Sequence, residues 1–322
     1  MQFIESKDRA SRVCVGITCG GVWWGARTYQ RIEALGFDSI WTGEHIVFHR
    51  PVMDALPVVA GVAAVTDRVL VGPAALMAPL RHPTLLAKEL ASIDIISGGR
   101  LVVATGVGGD YPKEFEACGV PHRERGRRMT ESLEIMRRYW TERRFSHRGE
   151  LFQLEDVSMD PKPVSPGGPR VWVAGRAEAA IERAVRFGDG YLPYMFTPED
   201  CAEAMVRLRA AAERLGEPLR AGFTLGALVY VSLADDDRDA ARRLAVEDLS
   251  WRYNQPFDHL VDRYCVYGDA DDVVEGLRAY VRAGVTHFVL APVQRKGAHA
   301  ETVERYAEQL MPALHAMACT TA

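Results

Sequence analysis

The chain has no apolar run near the roughly 20 residues that a bilayer-spanning helix needs, so no transmembrane segment is expected. It also has no excess of basic charge, with 39 Lys and Arg against 43 Asp and Glu and a net charge of −4. That balance fits neither a nucleic-acid footprint nor a polybasic membrane patch. None of the six cysteines (Cys14, Cys19, Cys118, Cys201, Cys265, Cys319) belongs to a CxxC pair. Their spacing offers no zinc site, and they read as reduced, mostly buried thiols. The polar opening MQFIESKDRASR lacks the apolar region of a secretory signal, which points to a cytoplasmic protein. Two further absences narrow the chemistry. Without a G-x-S-x-G elbow a Ser hydrolase is unsupported, and without GxGxxG after the first apolar run so is a dinucleotide-binding open sheet. His45, His49, His82 and His122 come with no HxH on a strand and no carboxylate cluster, so no metal centre is expected.

What the 322 residues do contain is an alternation of short apolar runs and amphipathic stretches, kept up to the C-terminus. Composition, 48% hydrophobic and 25% charged, is that of a globule with a full core. Strands are predicted at 13–18, 37–42, 69–77, 100–107, 170–174, 190–193, 223–233 and 286–291. Helices are predicted at 26–36, 53–65, 83–96, 124–140, 177–187, 198–215 and 270–283. One more helix follows a cap at Asp235–Asp237, and a closing helix covers 300–317. Residues 145–154 form a small excursion between strands four and five, a hairpin turning at Arg148-Gly149. No composition break marks a linker. Eight strand–helix units without one argue for a single (β/α)8 barrel over residues 1–322.

In such a barrel, chemistry gathers at the C-terminal ends of the strands. Strand two ends in Glu44 and His45, followed by His49 and Arg50; an imidazole there titrates near neutral pH. Strand one is followed by Trp23 and Trp24, which either line an apolar ligand pocket or cap the barrel as core. After strand three come Ala78 and His82, and after strand four the run Gly106-Val107-Gly108-Gly109-Asp110-Tyr111, where glycines admit a flat ligand. Strand five ends in Gly175-Arg176 directly before a helix, an arrangement suited to a phosphate. Tyr194 completes the ring. The basic runs 123–128 and 137–144 read as solvated helix faces with i,i+4 pairs.

The stretches LGFDSIWTGEH (35–45), PLRHPTLLAKELASIDIISGGRLVVATGVGG (79–109), 114–140, PRVWVAGRAEAAIERAVRFGDGYLP (169–193) and, more weakly, 268–292 resemble the bacterial luciferase-like superfamily of flavin and deazaflavin oxidoreductases. The resemblance covers nearly the whole chain and implies a barrel that holds an isoalloxazine-type ring in its mouth. It makes His45 the imidazole near the reactive face of the ring, with Glu44 beside it. It makes 75–78, including Ala75, Met77 and Ala78, a supporting bulge that in this family often carries a non-proline cis peptide. Gly175 and Arg176 become the phosphate turn, and Asp110 falls where some F420-using dehydrogenases carry an acid. Two departures stand out. Those dehydrogenases carry a Trp where this chain has His49, and luciferases proper carry an Arg near position 108, which here is Gly108.

The resemblance implies reduced FMN or coenzyme F420 as cofactor. The preferred reading is an FMN-dependent monooxygenase acting on a small, partly apolar organic molecule. In that reading catalysis falls to His45, Glu44 and Asp110, and the ring is held by Ala75, Met77, Ala78, Gly106, Gly108, Gly175 and Arg176. Substrate would meet Trp23, Trp24, His49, Arg50, His82, Tyr111 and Tyr194. The alternatives are F420-dependent hydride transfer on the same barrel and a non-catalytic flavin-binding subunit. A separate flavin reductase and a homodimer are the partners the resemblance implies.

Overall fold

The computed structural model describes residues 12–235 and 237–319. The first eleven residues, on which the expectation about a leader rested, lie outside that range, as does Asp236 of the expected cap. The strands are β1 (Cys14–Thr18), β2 (Ser39–Thr42), β3 (Leu70–Pro73), β4 (Leu76–Met77), β5 (Val102–Gly106), β6 (Phe145–Arg148), β7 (Gln153–Val157), β8 (Arg170–Val173), β9 (Gly190–Tyr191), β10 (Thr224–Leu233), β11 (Cys265–Gly268) and β12 (His287–Pro292). All but β6, β7 and β11 follow the parallel path β3-β2-β1-β12-β10-β9-β8-β5-β4. A bridge from Val71 of β3 to Leu101, the residue before β5, closes the barrel, with β4 continuing the position of β3. Counting β3 and β4 as one interrupted strand gives the expected eight positions.

Helices cover the barrel: α1 (Ala26–Ala34), α2 (Ala55–Val65), α3 (Pro83–Ser97), α4 (Lys113–Ala117), α5 (Arg125–Thr141), α6 (Glu178–Phe187), α7 (Pro198–Leu215), α8 (Arg238–Tyr253), α9 (Asp258–Tyr264), α10 (Ala270–Arg282), α11 (His299–Gln309) and α12 (Met311–His315). Local chemistry sets their ends. Thr197 and Asp200 form a reciprocal capping box on α7, and Gly98 and Gly216 close α3 and α7 in the left-handed conformation. Asp237 caps α8 through the Ala240 N–H, whereas Asp235 pairs with Arg305 instead.

Inside the barrel, Trp41 of β2 meets Trp172 of β8 with ring centroids 5.1 Å apart, among Val102, Ala104, Leu192 and Val289. Two indoles fill this space because glycines stand opposite them. A Cβ on Gly190 would lie 2.6 Å from Trp172, and one on Gly72 would lie 3.1 Å from Trp41 and strike the Val102 carbonyl. The indole N–H of Trp41 donates to Ser39 Oγ at 2.7 Å, and the same hydroxyl hydrogen-bonds His287 Nε2, also at 2.7 Å.

Three expectations change. Strand three is not continuous: it breaks at a cis Ala74–Ala75 bond, its first part pairing with β2 and its second with β5. The closing helix is two helices, because Pro312 cannot continue the backbone ladder of α11. Strand β11 was not foreseen; its CVYG run is too short to show a period, and it adds to the C-terminal half of β10. The excursion is a hairpin as expected, β6 with β7, and it runs three residues further than read, to Val157. No helix among the described residues is long and apolar enough to cross a membrane.

Candidate active site

The end of β2 separates its two charged residues. Glu44 is buried, with Oε2 accepting the Met77 N–H at 2.6 Å and Oε1 accepting Arg81 at 2.7 Å. Burial pushes its carboxyl up, with the Arg81 guanidinium and the Met77 N–H opposing that shift. Arg81 also reaches Asp54, the cap of α2, at 2.7 Å. Both Glu44 oxygens are therefore spent on clamping β4, and the expected acid partner of His45 is not Glu44. That place is taken by Glu114 of α4, whose side chain is 1% exposed. Its carboxylate accepts the Ile46 N–H at 2.7 Å and stands 3.3 Å from His45 Nδ1. A carboxylate only accepts, so Nδ1 carries the proton of this contact and Nε2 faces away from it. The imidazole, 28% exposed, stacks on Phe48 with centroids 3.6 Å apart.

The break after β3 lies against the end of β5. Thr105 Oγ1 donates to the Leu76 carbonyl at 2.9 Å, fixing β5 to β4 just before Met77 and Ala78. Gly106 ends β5 buried, and Gly108 follows at φ 62°. A Cβ at 108 would lie 2.8 Å from Met77 Sδ, so neither conformation nor space admits the arginine of luciferases proper. A cation comes from elsewhere. Beside Gly109 lie Arg125 Nε and His122 Nε2, and both are buried with no hydrogen-bond partner among the described residues. Arg183 of α6 donates to Gly126 and Thr130, tying the first turns of α5 to α6. At the start of α6, Ala177 makes no side-chain cap, and Gly175, at φ 145°, accepts the Tyr191 hydroxyl on its carbonyl. Arg176 is exposed and lies 5.7 Å over Phe196. The Arg125 guanidinium with its unpartnered Nε, an uncapped helix start and a glycine turn fit the phosphate of a flavin-type cofactor.

The expected substrate wall comes apart. Trp23 packs against Tyr29 and over Gly61 on α2, while Trp24 stacks on His299 at 4.5 Å. The two indoles do not form one surface. His82 is a helix cap, accepting the Thr84 N–H and meeting Phe152 after β6 edge-on, so it serves α3. His49 is exposed beside Phe48, and Tyr111 meets Phe48 edge-on at 5.8 Å. Asp110 is exposed, and its charge acts on Tyr194. Tyr194 adjoins Tyr230 and Tyr253, whose hydroxyls bond each other; burial pushes all three phenols up and keeps them neutral. The basic runs are less solvated than read. Arg138–Glu142 is an i,i+4 pair, but Arg137 pairs with Asp189, Arg127 with Glu150, and Arg128 lies over Phe152.

A profile of the luciferase-like monooxygenases matches residues 26–287, and the chain belongs to that family. It is 27% identical to the oxygenase component of a flavin-dependent trigonelline monooxygenase from Acinetobacter baylyi, over 86% of each chain. It is 28% identical to an F420-dependent glucose-6-phosphate dehydrogenase from Beutenbergia cavernae, over 88% of this chain and 91% of that one. The crystal structure of a monooxygenase from Streptomyces bottropensis superposes with a TM-score of 0.78 at 26% identity, covering 93% and 99%. An uncharacterised Mycobacterium tuberculosis protein is 32% identical, and there the match spans 52% of this chain and 57% of the relative's length.

Proposed function

We propose that the protein is a luciferase-like oxidoreductase that uses reduced FMN to oxygenate a small, partly apolar organic molecule. The observation that carries the reading is the Glu114–His45 pair at the end of β2, an imidazole oriented by a buried carboxylate with Nε2 open. A non-catalytic carrier has no use for such a pair. When bound, the ring supplies the redox chemistry, with O2 in the FMN case and by hydride transfer in the F420 case. The residues assigned to hold it are Ala75, Met77, Ala78, Gly106 and Gly108 under the ring, and Gly175, Arg176, His122 and Arg125 around the phosphate. His45 Nε2 takes or returns the proton of the reacting oxygen, and Glu114 stabilises the imidazolium that results. Glu44 fixes the bulge on which the ring rests. Asp110, Tyr111 and Tyr194 border the substrate space.

The second reading, hydride transfer with F420, is favoured by Gly108 standing where luciferases proper have arginine. A cytoplasmic homodimer served by a separate flavin reductase completes the proposal; exposed Leu85 and Ile96 on the outer face of α3 support the dimer. Anaerobic titration with reduced FMN and with F420, side by side, tests the reading. Tight binding of reduced FMN, lost in Gly175→Val, is the expected result. Preference for F420 establishes the second reading, and failure to bind either overturns both.

A further inference from the structure

Past the candidate proton-transfer pair lies a guanidinium with no counterion. Arg50 Nε is buried without a hydrogen-bond partner, and among the described residues Arg50 makes no ion pair. Its guanidinium lies 5.7 Å from the centroid of Phe48 and 5.6 Å from that of Trp251. Phe48 is the ring that stacks on His45, so a single aromatic side chain separates the cation from the imidazole. A second guanidinium, Arg252, acts on Arg50, yet Arg252 is compensated by Asp248 at 2.6 Å. Arg50 is thus a half-buried guanidinium without an ion-pair partner among the described residues, a costly arrangement unless an anion arrives. Flat walls flank it, Phe48 on one side and Trp251 on the other. Arg252 also acts on His299, which stacks on Trp24 and bonds Gln294; there Trp24 Nε1 and Gln294 Oε1 are buried and unpartnered.

We infer that Arg50 is a specificity residue that receives the carboxylate of a small planar monocarboxylate substrate, with Phe48 and Trp251 flanking the bond. This rests on the proposed oxidoreductase reading for the same barrel mouth. A single negative charge suits the place better than a phosphate dianion, because Asp248 and Asp110 already lie at this end. A planar body suits aromatic walls, which stack without ordering a flexible chain. Gln294 Oε1 and Trp24 Nε1 are the unpartnered polar atoms beside His299, on which Arg252 also acts.

The test uses benzoate and its neutral analogue benzamide, titrated calorimetrically into the protein with and without oxidised FMN. Wild type is expected to bind benzoate at least about tenfold more tightly than benzamide, the worth of one charge-assisted hydrogen bond. Arg50→Gln should bring the ratio near one while leaving benzamide affinity unchanged, and Arg50→Lys should restore part of it. No preference in wild type, or a preference that survives Arg50→Gln, overturns the inference. Reduced FMN and F420 affinities are measured on the same variants. A selective loss of F420 binding in Arg50→Gln would assign the residue to that cofactor's anionic tail and also overturn it. Should neither cofactor bind while the benzoate preference follows Arg50, the redox reading fails and the carboxylate site stands.

Discussion

The peptide bond between Glu44 and His45 separates a carboxylate built into the scaffold from an imidazole left open at the barrel mouth. Glu44 spends both oxygens on Met77 and Arg81, so chemistry at this strand end falls to His45 and the distant Glu114. His45→Ala is expected to fold and bind cofactor as the parent does and to lose on the order of 10²-fold in turnover. His45→Gln should be nearly as slow, because it hydrogen-bonds without carrying the proton. Glu114→Gln keeps an acceptor for the Ile46 N–H but cannot balance an imidazolium, so turnover should fall while cofactor affinity holds. Stopped-flow turnover beside equilibrium cofactor titration checks all three, and a fully active His45→Ala would remove the residue from the centre of the site. His45 was legible in the sequence because a strand end is a local signal. Glu114 was not, since it lies 69 residues away and reaches the imidazole only through folding. Arg125 and His122 were hidden differently: spacing along a helix gives its faces but not which face meets the glycine turn.

At the scale of elements, ends and breaks carry what periodicity cannot show. Strand three reads as one run because VLVGPAALM is apolar throughout; internal Pro73 and the bulge implied at 75–78 mark the break, but not that its halves pair with different neighbours. Short β11 escaped for the same reason, because it turns on its partner β10, whereas the division of the last helix at Pro312 is a local signal that a reading of 300–317 as one helix passes over. Asp38 shows how strongly an element's start is fixed. Placed just before β2, it accepts a forked pair of bonds from Arg12 at 2.8 and 2.9 Å, the Val15 N–H at 2.8 Å, and approaches His315 of α12 at 3.2 Å. Burial by itself would raise its carboxyl; His315, Arg12 and the Val15 amide outweigh that and hold it well below the usual carboxylate range. A depressed folded value means stabilisation that is complete above the unfolded value of about 4 and fades as pH falls through the folded one. Urea midpoints should thus hold from about pH 7 to 5 and drop below about pH 4, and Asp38→Asn should lower the neutral midpoint and flatten the acid decline. An unchanged acid slope in that variant would mean other carboxylates set it.

For the whole molecule the question is what keeps the ends of an eight-position sheet together, since Val71 of β3 and Leu101 before β5 share a bridge where their neighbours share ladders. The barrel itself was legible from eight repeating units, and Arg100 was visible only as the first residue of the strand expected at 100–107 and as part of the stretch 79–109. Its role becomes clear at the seam. The Val71 N–H donates to the Arg100 carbonyl at 3.0 Å, and all five side-chain N–H groups of Arg100 are used. Nε donates to Ser97 O at 2.8 Å; one terminal nitrogen reaches Thr66 Oγ1 and Val69 O, and the other Ala63 O and Thr66 O, at 2.8 to 3.0 Å. These acceptors belong to the ends of α2 and α3 and to the residue before β3, so one planar side chain fastens the strands on both sides of the seam. Burial lowers its affinity for a proton, with the Glu33 carboxylate opposing that shift. Arg100→Ala would strand several half-buried carbonyls, each costing about 1–3 kcal/mol, so a loss of about 3 kcal/mol or more is expected in denaturant unfolding. Arg100→Lys should recover little, because a point ammonium with three donors cannot reproduce a five-donor fork. Cofactor affinity measured well below the unfolding midpoint should stay at the parent value, since none of these bonds touches the candidate site. If Arg100→Ala unfolds within about 0.5 kcal/mol of the parent, the level of an ordinary surface change, closure of the barrel rests on side-chain packing across β3 and β5 instead.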